Sequence, residues 1–229
     1  KDNQLHHPHQ TSWGVSTRMI GGIIMTHGDN NGLVLPPRIA PIQVIIIPVA
    51  QHKEGVLDAN RAVMDRLIKA GFRVKMDDSD QSAGWKFAEY EMKGVPLRLE
   101  LGPKDIEKNQ CVLVRRDSGE KRFVSLDGIE ETVAAMLDAI HDGLYQRAKK
   151  NLEDNTYACS SLEEVREKMK ERGGFAKTMW CGDEACEIRM KEEAGVTSRC
   201  MPLEQEHLGD VCPVCGRPAK HMIYWGVAY

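Results

Sequence analysis

Four cysteines near the end of the sequence fall into two short-spaced pairs, Cys181 with Cys186 in CGDEAC and Cys212 with Cys215 in CPVCGRP. Two such pairs separated by a loop can wrap four thiolates tetrahedrally around one zinc ion. The glycine after Cys215 permits the tight turn that aims amide N–H groups at sulfur. Four protein ligands leave no open position, so a Zn2+ held this way is structural, which argues against a zinc-dependent hydrolase. Two other readings stand beside it: four unrelated buried thiols, and a redox CxxC at CPVC. A redox CxxC opens a helix in a thioredoxin-like unit, and GRP directly after Cys215 is a poor helix. The other three of the seven cysteines lack paired spacing. Cys111 reads as a strand core residue, and Cys159 and Cys200 as free thiols. His207 could replace a thiolate.

A second chemical signal is Arg18 in the stretch QTSWGVSTRMIGGIIMTHGDNNGLVLPPRIAP, an isolated cation among glycines, small hydroxyls and apolar residues. Burying a lone cation costs desolvation unless an anion meets it. Gly21 and Gly22 would let a flat ring or another backbone approach closely, and a guanidinium fork suits phosphate. The residues leave two partners open, a nucleotide phosphate or a carboxylate from an upstream segment.

A third signal is weaker. Glu100 lies on the polar side of an alternating strand, with Lys104 just after it, and Arg115 and Arg116 end the neighbouring strand. Carboxylate and guanidinium groups at strand ends suit base-edge hydrogen bonds to splayed, single-stranded nucleotides. The plain alternative is solvated sheet-edge charge.

These groups need elements to hold them, and the patterning supplies three segments. Residues 1–40 are glycine-rich and end at a boundary marked by Pro36, Pro37 and Pro41. IQVIII then predicts a strand covered on both faces. Val56, Ala59, Val63 and Leu67 form a helical stripe with Gly71 at C′. FRVKM predicts a strand, Ala83 to Met92 a helix and PLRLELG another strand. CVLVRR and KRFVSL around DSGE predict a hairpin. Asp127 and Glu130 suggest a capping box for a long helix whose buried stripe is Ile129, Val133, Met136, Leu137, Ile140 and Leu144. Residues 41–148 therefore form a small α/β domain on a mixed sheet. Residues 149–229 open with an amphipathic helix near Leu162 to Met169 and lead to the cysteine pairs.

The 229 residues are 41% hydrophobic and 28% charged with a net charge of −3, enough apolar content for real cores and no strongly basic balance. IQVIIIPVA is the longest apolar run, far too short for a bilayer, so no membrane partner is expected. No secretory signal is visible, and an intracellular, soluble protein is the expectation. No GxxxxGK[ST] occurs, and PVAQHKEG after the first strand is not a glycine fingerprint. The middle domain thus reads as a recognition module.

QTSWGVSTRMIGGIIMTHGDNNGLVLPPRIAPIQVIIIPV, DQSAGWKFAEYEMKGVPLRLELGPKD and the cysteine-bearing tail ending in VAY together resemble prolyl-tRNA synthetases of the archaeal and eukaryotic-like branch, which also occurs in some bacteria. The resemblance covers essentially the whole chain. It implies that residues 1–40 are the last piece of a class II catalytic domain, an antiparallel sheet with helices. It implies that 41–148 bind the anticodon and that 149–229 are a zinc-binding α/β domain. Arg18 would be the motif 3 arginine that grips ATP, with Ser16 and Thr17 beside the nucleotide. Ser12, Trp13 and Gly14 would line the proline pocket, and the terminal Tyr229 would reach back toward the active site.

The implied reaction is two-step. Proline carboxylate attacks the ATP α-phosphate, with Mg2+, and the prolyl group then passes to tRNA(Pro) in the cytoplasm. Catalysis would be largely positioning and charge stabilisation, and the full enzyme would be a homodimer. The first two class II motifs are not among the 229 residues, so this chain alone is expected to be inactive. The rival expectation is a non-enzymatic tRNA-binding accessory module with a structural zinc.

Overall fold

The computed structural model describes residues 10–228; the resemblance's role for Tyr229 lies outside them. The chain divides into two compact units between Tyr145 and Gln146. In the first, residues 10–16 carry no regular structure and lead to helix α1, Arg18–His27. The segment MIGGIIM, read above only as apolar, is thus helical, and no residue of α1 is buried.

A five-stranded sheet follows. Strand β1 is Val44–Pro48, helix α2 Val56–Lys69, strand β2 Val74–Met76, helix α3 Ala83–Met92 and strand β3 Leu97–Leu101. Helix α4 is Pro103–Glu107, and β4 (Gln110–Arg115) and β5 (Lys121–Ser125) form the hairpin. The spatial order is β2-β1-β3-β4-β5, the first three parallel and the last two antiparallel, so the sheet is mixed. Every residue of β1 is buried, which its unbroken β-branched run requires. α2 stops because Gly71 takes the left-handed conformation, φ +95°, that side chains avoid.

Helix α5, Ile129–Asp154, buries the expected stripe of six residues against Val44, Ile46, Leu97, Leu99 and Leu113. Its start differs from expectation. Asp127 accepts a hydrogen bond from Asn109 at 2.9 Å, and Glu130 is held by Arg66 through two bonds of 2.8 Å. Both carboxylates of the expected capping box are therefore committed to tertiary partners. On the opposite sheet face, Ile45 and Ile47 pack with Tyr90 and Val95. Lys86 is buried there, its ammonium donating to the Asp77 carbonyl at 2.9 Å and to Gln51 at 3.1 Å.

The second unit is built on a four-stranded sheet. Strand β6 is Thr156–Ala158, helix α6 Leu162–Glu171, strand β7 Phe175–Trp180, helix α7 Glu184–Ala194, strand β8 Thr197–Cys200 and strand β9 His221–Gly226. The order is β6-β7-β9-β8. Val165, Met169, Ala176, Met190, Ile223 and Trp225 form its core, and the Trp225 indole donates to the Thr178 hydroxyl at 2.9 Å. Among the described residues no helix is long and apolar enough to cross a membrane.

Candidate metal centre and candidate nucleic-acid interface

Cys181 directly follows β7, and Cys186 lies in the first turn of α7. Asp183 caps that helix, its carboxylate accepting from Ala185 N–H at 3.0 Å, and so fixes where Cys186 points. Cys212 and Cys215 sit on a tight loop closed by Gly216 N–H to the Cys212 carbonyl (2.9 Å) and Cys212 N–H to the Arg217 carbonyl (2.8 Å). Gly182 (φ +86°) and Gly216 (φ +70°) take the left-handed turn after Cys181 and Cys215. The amides of Asp183 and Arg217 then donate to Cys181 and Cys215. The two halves are matching knuckles, Cys-Gly-Asp and Cys-Gly-Arg.

The four sulfurs lie within 4.8 Å of one another. Cys181 and Cys186 are 3.6 Å apart, and Cys215 and Cys181 are 3.7 Å apart. Thiolates about 2.3 Å from a zinc ion in a tetrahedron would be spaced about 3.8 Å, so the donor set and its size fit zinc. Of the four, Cys181, Cys186 and Cys212 are buried and Cys215 is exposed. Burial pushes the Cys186 thiol up, whereas the Arg217 guanidinium and amide beside Cys215 pull its thiol down to about 6. His207 pairs with Asp210 at 3.1 Å and is not part of the group. Cys111 and Cys159 are core residues, and Cys200 is exposed.

The four residues expected at a nucleotide interface are not brought together. Lys104 is exposed on α4, beyond the C-terminal end of β3. Arg115 faces Leu97 at the start of β3, about 13 Å of strand away. Arg115 ends β4 and Arg116 lies just beyond it, and the two take different partners. Arg115 makes a two-pronged bond to Asp117 (2.9 Å each) near Gly143 of α5. Arg116 is 9% exposed and clamps the Asp29 carboxylate at 2.6 and 2.7 Å, with its third nitrogen on the Glu91 carbonyl at 2.8 Å. Glu100 is buried too, taken up by Arg98 (3.0 Å) and Lys121 (3.0 Å).

What the sequence reading missed is the surface those pairs make. By register, Arg98, Val114 and Lys121 form one row across β3-β4-β5, and Glu100, Val112 and Phe123 the next. Arg98 stacks on the Phe87 ring at 4.0 Å, and Phe123 is 65% exposed. An exposed aromatic ring with a lysine two residues away on the same strand face offers a surface on which a base could stack. The alternation of KRFVS held the signal, because it puts Lys121 and Phe123 on one face.

Arg18 opens α1 and is exposed; among the described residues no carboxylate meets it. No described residue buries it. Its amide reaches the Ser16 hydroxyl at 3.4 Å, and Ser12, Trp13, Gly14 and Thr17 are exposed around it, Trp13 at 94%. The first turn of α1 carries no acid, and its amides turn back on the chain, Met19 N–H to the Ser16 carbonyl at 3.1 Å and Ile20 N–H to the Thr17 carbonyl at 3.0 Å.

Residues 43–136 match the family model described as "Anticodon binding domain", and residues 162–229 match "Prolyl-tRNA synthetase, C-terminal". Over all 229 residues the chain is 58% identical to "Proline--tRNA ligase 2" of Bacillus thuringiensis subsp. konkukian. It is 58% identical to "Proline--tRNA ligase" of Clostridium novyi and 60% identical to that of Ruminiclostridium cellulolyticum. In each case it covers 48% of the relative, so the chain spans about half the length of the curated relatives it matches. The chain belongs to the prolyl-tRNA synthetase family and represents its C-terminal part.

Proposed function

We propose that the chain is the part of a proline–tRNA ligase that reads the tRNA(Pro) anticodon and completes the ATP site. The observation that carries this reading is the similarity over every residue, at 56–60% identity, to proteins named for that activity. In the complete enzyme, residues 10–40 would close the class II catalytic sheet. The exposed apolar residues of α1, Met19, Ile20, Ile24 and Met25, would be covered by the upstream half. Arg18 would hold ATP phosphate oxygens, with Ser16 and Thr17 beside it and Mg2+ sharing the charge. Ser12, Trp13 and Gly14 would shape the proline pocket. Proline carboxylate would attack the α-phosphate with loss of pyrophosphate, and the prolyl group would then pass from the adenylate to the terminal ribose hydroxyl as AMP leaves. The protein contributes position and positive charge rather than a nucleophile.

The anticodon would lie on the platform of Arg98, Lys121 and Phe123, with Lys104 gripping backbone phosphate. Arg115, Arg116 and Glu100 would shape that surface from behind their ion pairs. Cys181, Cys186, Cys212 and Cys215 would hold one Zn2+, which supplies structure and no reactive position. The domain limits 1–40, 41–148 and 149–229, a homodimer formed through the upstream half, and work in the cytoplasm complete the reading.

The exposure of Arg18 favours a second reading, a tRNA-binding accessory module with a structural zinc. A chimera carrying the upstream half of the Ruminiclostridium cellulolyticum relative separates the two. Proline-dependent ATP–pyrophosphate exchange is expected, falling about 100-fold or more in Arg18→Ala. An inactive but folded chimera, or an unaffected Arg18→Ala, would favour the accessory module. The 229 residues alone are expected to give no exchange.

A further inference from the structure

The four thiols are not equally protected: three are buried and Cys215 is exposed. One side chain stands over it. The Nε of Arg217 is 3.3 Å from the Cys215 sulfur, and its Nη2 is 4.0 Å from the Cys181 sulfur. That same Nη2 is held by the carboxylate of Asp183, in the other knuckle. Each half-site therefore contributes one charged residue two positions after a cysteine, Asp183 after Cys181 and Arg217 after Cys215, and the two residues meet across the cluster. Asp183 is fixed in turn, capping α7 through Ala185, while its carbonyl accepts from the Trp180 indole at 3.2 Å.

We infer that Arg217, held in place by Asp183, is a guard on the metal centre: it covers the sulfur of the one exposed cysteine of the four and ties the two half-sites together, so that it sets how fast the site gives up its metal. The inference rests on the zinc reading above. Four thiolates around Zn2+ leave a net charge of −2, concentrated on sulfur. A guanidinium bonded to one of those sulfurs draws off part of that charge and blocks the open approach, which makes the sulfur a poorer target for protons and electrophiles. An exposed ion pair contributes little to stability by itself. The guard should accordingly show in the kinetics of metal loss and barely in melting.

The test uses the full chain as wild type, Arg217→Met, Arg217→Lys, Asp183→Asn and, as a control, Arg166→Met, which breaks the exposed pair with Glu163 on α6. Zinc content is read by native mass spectrometry. Zinc transfer to 4-(2-pyridylazo)resorcinol and iodoacetamide labelling of Cys215 are read as rates. The expected result is one zinc per wild-type chain and about tenfold faster transfer in Arg217→Met, with faster labelling of Cys215. Arg217→Lys and Asp183→Asn should fall between, and the control should match wild type. Transfer and labelling within twofold of wild type in folded Arg217→Met would overturn the inference while leaving zinc in place. If Arg217→Met does not fold, Asp183→Asn decides in the same way, because asparagine still caps α7. A wild-type chain without zinc would sink the zinc reading, and the guard with it.

Discussion

Arg116 shows what a residue's neighbours in sequence conceal. Beside Arg115 at a strand end it reads as half of a basic pair, yet its partner Asp29 is 87 positions upstream. Only the folded chain supplies that contact, whereas the cysteine knuckles are local patterns and were legible from spacing alone. The contact has a pH signature. The Arg116 side chain is the largest influence on Asp29, and its hydrogen bond pulls the carboxyl down from 3.8 to about 2. A depressed carboxylate stabilises the fold fully above its unfolded pKa and loses that contribution as protons bind. The gap in melting temperature between wild type and Asp29→Asn should thus be constant near pH 6, shrink below about pH 4 and vanish toward pH 2. The Asp29 side chain is 46% exposed, so solvent screening holds the gap to about 1 kcal/mol or less. Arg116→Ala should cost more, about 2 kcal/mol, because the Glu91 carbonyl also loses its donor. A gap that persists unchanged at pH 2.5 in thermal melts would rule out this pair as its source.

Elements were legible wherever one period ran uninterrupted. Helix α3 falls on Ala83–Met92 as the pattern required, and the β4–β5 hairpin pairs antiparallel. What escaped was the way residues 29–35 dock on the turn after α3, since no period records it. Leu33 N–H donates to the Met92 carbonyl at 2.9 Å and Leu35 N–H to the Gly94 carbonyl at 3.2 Å. Gly32 (φ +126°) makes this possible, because a Cβ there would stand 2.5 Å from the Met92 carbonyl oxygen. Gly32→Ala should destabilise the first unit by about 2 kcal/mol, from backbone strain and a clash with main chain that cannot yield. Urea unfolding is the check, and a loss under 0.5 kcal/mol would mean that the segment is not held as described. The Asp127–Glu130 capping box failed for a related reason: carboxylates that fit a local motif were claimed by Asn109 and Arg66 from other elements.

On the scale of the whole molecule the contacts make two units, each with its own apolar core, where the sequence was read as three segments. The cluster of four thiols lies wholly in the second unit, and removal of the zinc proposed for it should act there. With zinc stripped by a chelator and a thiol reagent, hydrogen exchange should rise across residues 175–226. The sheet of β1, β3 and β4 should keep its protection. Uniform loss of protection in both sheets would show that the centre supports more than its own unit. The function itself rests on the claim that this chain reads an anticodon. Binding of the chain to a tRNA(Pro) transcript, compared at fixed salt with the same transcript carrying a replaced anticodon, tests that claim most directly. The account predicts at least about tenfold tighter binding to the proline anticodon, a difference of about 1.4 kcal/mol, and loss of that preference in Phe123→Ala. Equal affinity for the two transcripts would contradict it.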